Sequence, residues 1–130
     1  MSKSLAGLRV LLLEDEYLIA MDVEQLCRDN GADDVTIVRS FDEMNGFPEQ
    51  PAFDVAILDL MLGSVSTLDF ARRLLECGTP FIFASGHSDL EEVALKFPGI
   101  AVVGKPYAGD DLVSAVATAV AISSRPEINP

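Results

Sequence analysis

The chain has 130 residues, about half of them apolar, which suits one domain with a true core and leaves little room for a second. Its net charge of -12, from 21 acidic and 9 basic residues, disfavours nucleic acid and anionic membranes as partners and favours a cation or a basic surface. No cleavable leader pattern opens the chain and no apolar run reaches the roughly 18 residues of a membrane span, so a cytoplasmic protein is expected.

Leu8 to Leu13 is an apolar run broken only by Arg9, and it stops at Glu14-Asp15-Glu16. Short unbroken runs of this kind read as strands buried on both faces. Leu18, Ile19, Met21, Val23, Leu26 and Cys27 then recur at helical spacing until Asn30-Gly31. Val35 to Val38 predicts a second strand, and a short helix over Asp42 to Phe47 closes at Pro48. Val55 to Asp59 predicts the third strand, with an acid at its C-terminal end. After a loop over Gly63 to Thr67, a helix runs from Leu68 to Gly78.

Pro80 to Ala84 predicts the fourth strand, followed by Ser85-Gly86-His87, and Leu90 to Lys96 a short helix. Ile100 to Val103 predicts the fifth strand, followed by Gly104-Lys105-Pro106. The last helix covers Asp110 to Ile122, which bounds the domain at 1–122 and leaves a flexible tail over 123–130. Cys27 and Cys77 fall in helical patterns without metal-ligand spacing and are expected to be buried thiols.

Five apolar strands alternating with five helices predict an α/β fold: a doubly wound, five-stranded parallel sheet covered on both faces. Ligands of such sheets bind beyond the C-terminal strand ends, where the strand order reverses. The residues at those ends are Glu14 and Asp15, Asp59, Ser85 and Lys105. Three neighbouring carboxylates repel one another unless a cation neutralises them or one is protonated. Ligation by oxygen alone favours a hard ion such as Mg²⁺ or Mn²⁺. Lys105 brings a compact positive charge and Ser85 a hydroxyl donor, so the set suits phosphoryl transfer, with Asp59 as the natural nucleophile. Taken singly, each residue has a plainer role: Glu14 or Asp15 as a helix cap, Ser85 as a turn residue, Lys105 as loop chemistry.

Together the residues resemble the receiver domains of two-component response regulators, over nearly the whole chain from Leu8 to about Ile122. The signature is the acidic pair Glu14-Asp15, Asp59 in Ile57-Leu58-Asp59-Leu60, the hydroxyl of Ser85, and Lys105-Pro106, all in order. The resemblance implies the flavodoxin-like strand order 2-1-3-4-5. It implies a phospho-acceptor, not an enzyme with turnover of its own, that takes a phosphoryl group on Asp59 from a histidine kinase or histidine phosphotransfer protein, and the length of 130 residues leads to the expectation that it stands alone. Mg²⁺ would be held by Asp15, Asp59 and the Met61 carbonyl, with Glu14 acting directly or through water. Ser85 and Lys105 would hold the phosphoryl oxygens, while Met61 and His87 would line the path of the attacking water. Output would pass to a downstream protein target docked on the side of the last two helices and the fifth strand.

Two positions depart from the family pattern. Val102 stands where an aromatic residue commonly swings inward on activation, and Gly63 stands where proline is common four residues after the acceptor. Phe81-Ile82-Phe83-Ala84-Ser85-Gly86 is similar to the Phe-Ala-Thr-Gly stretch of a largely alphaproteobacterial subgroup that often lacks that aromatic. Three other readings share the fold. A flavin-type cofactor binder would meet repulsion from Glu14-Asp15-Glu16, and an aspartate-nucleophile phosphatase would want an acid where Met61 stands. The third is a receiver-like interaction module that acts without phosphorylation. A receiver cut from a longer protein is also compatible with the proline-containing tail.

Overall fold

The computed structural model describes residues 4–41, 53–85, 90–104 and 109–124. The first apolar run forms β1 (Arg9–Leu13), in which Val10 to Leu13 are all buried. Side chains of a strand point alternately to its two faces. Val10 and Leu12 accordingly join one core cluster, and Leu11 and Leu13 a second. In β3 (Val55–Leu58), Val55 and Ile57 enter the first cluster while Ala56 and Leu58 enter the second. The split recurs in β6 (Phe81–Ser85), with Ile82 and Ala84 on one face and Phe81 and Phe83 on the other. A strand covered on both sides has no solvent face, hence the unbroken apolar runs.

Helices supply the cover. On the first face, α1 (Tyr17–Asp29) contributes Ala20, Val23 and Cys27, and α4 (Gly109–Ser124) contributes Leu112, Val113 and Val116. On the second, α2 (Leu68–Cys77) contributes Ala71 and Leu74, and α3 (Leu90–Lys96) contributes Val93. Phe97, just beyond α3, meets Phe81 and Phe83 edge-on, with ring centroids 6.2 and 5.3 Å away.

With β2 (Asp34–Val38) and β7 (Val102–Gly104), the main sheet has the order β2-β1-β3-β6-β7, and every pairing in it is parallel. Counted among its own strands, that is 2-1-3-4-5, as expected. The order reverses at β1, whose Leu13 is in register with both Val38 and Leu58. At the far end of the sheet Asp54 pins the entry of β3 to β1, accepting from the Arg9 N–H at 2.8 Å and lying 3.2 Å from its guanidinium. That exposed pair holds the Asp54 carboxyl below its ordinary range.

The structure differs from the sequence reading in several places. The described residues hold four helices, and the helix expected over Asp42 to Phe47 lies outside them. The expected loop after Asp59 is an antiparallel hairpin, β4 (Met61–Leu62) with β5 (Val65–Ser66). Gly63, with φ of +66°, opens its two-residue turn and Leu62 anchors it in the core. Ile100 is not in the last strand, because its N–H is taken by the Phe97 carbonyl in a turn. The final helix begins at Gly109 and ends at Ser124, two residues into the expected tail, and 125–130 lie outside the described residues. Cys27 is buried as expected, whereas Cys77 is exposed, because α2 ends there and Gly78 turns the chain away in the left-handed conformation. No helix among the described residues is long and apolar enough to cross a membrane.

Candidate functional site

Two main-chain hydrogen bonds carry the ladder one residue past the strand ends. The N–H of Glu14 donates to the Val38 carbonyl at 3.1 Å, and the N–H of Asp59 donates to the Leu13 carbonyl at 3.0 Å. Glu14 and Asp59 thereby leave neighbouring strands side by side where the strand order reverses. One carboxylate oxygen of Glu14, one of Asp15 and one of Asp59 lie within 4.8 Å of each other. This is the single cluster of potential metal ligands among the described residues.

Glu14 is 2% exposed, while Asp15 and Asp59 are partly open to solvent. The Glu14 carboxylate also accepts the N–H of Glu16, the N-cap of α1, at 3.0 Å. Glu16 makes no side-chain cap of its own, so Glu14 serves the helix start from outside it. Glu14 is thus not the N-cap of α1, but it bonds the main chain at the helix entrance while belonging to the acidic cluster.

The donor set suits a magnesium ion. It is all oxygen and it gathers three carboxyl groups, with Asp15 only partly buried at the edge of the cluster. Met61, two residues beyond Asp59, begins β4 with its side chain 38% exposed. Ser85 ends β6, where it pairs with Gly104, the last residue of β7. Lys105 and His87 lie outside the described residues. Val102 is half-buried against the second core cluster, in register with Phe83. At the rim, the Arg39 guanidinium lies 5.6 Å from the Tyr17 ring centre.

Sequence reasoning missed Thr67. It is fully buried, and its hydroxyl donates to the main-chain carbonyl of Asp59 at 2.6 Å. The sequence reading places it at the end of the loop over Gly63 to Thr67, where no local signal points eight residues back to Asp59.

The family profile for the response regulator receiver domain matches residues 10–117. The chain is similar to the response regulator protein TmoT of Ectopseudomonas mendocina, 29% identical over 127 residues, or 92% of this chain and 56% of TmoT. It spans about half the length of the curated relatives it matches. In structure it is similar to a response regulator receiver protein from Sinorhizobium medicae WSM419, with a TM-score of 0.78 at 24% identity, over 91% of this chain and 98% of that one. It is also similar to the response regulator PhyR from Brucella abortus, with a TM-score of 0.76 at 27% identity, over 92% of this chain and 51% of PhyR.

Proposed function

The chain belongs to the response regulator receiver domain family of two-component signalling, and we propose that it accepts a phosphoryl group on Asp59 from a phosphohistidine donor, with Mg²⁺ bound at the acidic cluster. One observation carries this reading: three carboxylates from two strand ends converge where the strand order reverses, with Asp59 partly open to an incoming group. Asp15, Asp59, the Met61 carbonyl and Glu14 would hold the ion. Bound there, magnesium supplies charge neutralisation for the carboxylates and for the phosphoryl oxygens.

Asp59 contributes the carboxylate oxygen that forms the new P–O bond as the P–N bond of the donor breaks, and the electron pair returns to the donor imidazole. Glu14, whose carboxylate accepts the Glu16 N–H, is held beside Asp59 rather than swinging out. Lys105 and Ser85 take the roles that family membership gives them, as the charge and the hydroxyl that hold the transferred group. The chain is thus a phospho-acceptor rather than an enzyme, and a histidine kinase or histidine phosphotransfer protein is its donor. The charge of -12 favours a protein target for the output over nucleic acid. The Phe81–Gly86 stretch and Val102 favour the subgroup that lacks the strand-five aromatic.

Incubation with acetyl phosphate, with and without Mg²⁺, tests the reading by intact mass. The expected result is gain of one phosphoryl group that requires both Mg²⁺ and Asp59, lost in Asp59→Asn. A second reading, an interaction module that works unphosphorylated, draws on Val102, an aliphatic residue with no ring to swing. Absence of both modification and Mg²⁺ binding would select it.

A further inference from the structure

An N-cap threonine ordinarily turns its hydroxyl oxygen towards the first free N–H groups of its helix. Thr67 stands at that position before α2 and makes no such bond. Its neighbour does the work instead, for the Ser66 hydroxyl accepts the Leu68 N–H at 3.1 Å. The Thr67 hydroxyl reaches back eight residues and donates to the Asp59 carbonyl at 2.6 Å, with the Leu60 carbonyl next at 3.2 Å.

The rest of Thr67 is equally committed. Its N–H donates to the Leu60 carbonyl at 3.0 Å, and its own carbonyl accepts the Ala71 N–H at 2.9 Å inside α2. The two carbonyls that leave β3 therefore end on one fully buried residue, which closes the base of the hairpin carrying Met61. Asp59 is held on its other side as well, by its N–H bond to Leu13. With N–H and C=O both held, the Cα–Cβ direction from which the Asp59 carboxylate starts is set, and only the two side-chain torsions remain to place it.

We infer that Thr67 is a positioning residue for the phospho-acceptor: its hydroxyl orients the Asp59 main chain so that the carboxylate meets those of Glu14 and Asp15 at the ion. This rests on the receiver reading above. Its chemistry is that of outer-shell partners, which touch neither metal nor substrate but aim the group that does. Removing the hydroxyl from this buried position takes a 2.6 Å donor away from the Asp59 carbonyl and weakens the hold on that peptide.

Thr67→Val keeps the shape and removes the hydroxyl, and Thr67→Ser keeps the hydroxyl and removes the methyl group. Mg²⁺ binding is followed by amide shifts in an NMR titration, beside modification of Asp59 by acetyl phosphate and thermal unfolding. Thr67→Val is expected to raise the Mg²⁺ dissociation constant about tenfold, with Thr67→Ser within about threefold of wild type. Ala71→Gly, which loosens the same helix without touching Asp59, controls for stability alone and is expected to leave Mg²⁺ affinity unchanged. Should Thr67→Val fail to fold, Thr67→Ala provides the same comparison. Wild-type affinity in a hydroxyl-less variant, or equal weakening by Ala71→Gly, overturns the inference while the receiver reading stands. A wild-type chain that takes neither Mg²⁺ nor phosphoryl overturns the receiver reading, and this inference with it.

Discussion

Glu14 is bonded to the N–H of Glu16, two residues on, at 3.0 Å, so one buried carboxylate both ties the chain entering α1 and belongs to the acidic cluster. The two duties separate by substitution. Glu14→Ala removes the acceptor and should lower stability by about 1 kcal/mol, the usual net effect of a lost hydrogen bond. Glu14→Gln keeps an acceptor oxygen but removes a carboxyl group from beside Asp15 and Asp59. In EDTA it should match or exceed the wild type in urea unfolding, while its Mg²⁺ affinity falls. A glutamine variant as unstable as the alanine variant would mean that the hydrogen bond needs the carboxylate itself.

On the proposed function, Mg²⁺ would relieve repulsion within the same cluster and so stabilise the fold. A ligand that binds only the folded state stabilises it, by about 1.4 kcal/mol at ten times its dissociation constant. For a chain of this length that corresponds to a midpoint rise of roughly 3–6 °C. Thermal unfolding in saturating Mg²⁺ against EDTA should show the rise in wild type and lose most of it in Asp15→Asn and Asp59→Asn. An equal rise in all three would place the ion elsewhere.

Much of this site was legible before any coordinates, for a physical reason. Strands covered on both faces must be apolar throughout, so each read as an unbroken run, and the first acid after the run marked its end. Glu14, Asp15 and Asp59 were found that way. The β4–β5 hairpin was not, because strands of two residues carry no periodicity to detect. Thr67 was hidden by its position, since its contact with Asp59 spans eight residues and depends on the hairpin between them. Cys77 lies three residues after buried Leu74, on the apolar stripe of α2, and only the end of the helix exposes it.

Met61 follows Asp59 by two residues and is exposed at 38%. On the proposed function it would border the route by which water reaches a phosphorylated Asp59, and the family resemblance suggests the same role for His87, which lies outside the described residues. Shortening Met61 to alanine should open that route and speed loss of the phosphoryl group about threefold, ~0.7 kcal/mol in the barrier. Decay of the phosphorylated mass after removal of acetyl phosphate measures it, with His87→Ala alongside. Unchanged decay in both variants would take the lifetime away from these two side chains.

The two thiols should respond very differently to reagent and to pH. Cys77 is exposed and should react with a thiol reagent in the native state, whereas Cys27, 1% exposed, should react only on unfolding. Burial pushes the Cys27 thiol up to about 11 from an ordinary 9.0. The folded chain therefore holds that proton more tightly than the unfolded chain. Below pH 9 both states are protonated and stability is unaffected; as pH climbs towards 11 the unfolded state ionises first and stability drains away. The loss over that window is on the order of 2–3 kcal/mol. Urea unfolding at successive pH values, compared between wild type and Cys27→Ala, isolates it, since the alanine variant should lack this component of the alkaline decline. Parallel declines in the two proteins would assign the alkaline instability to other groups.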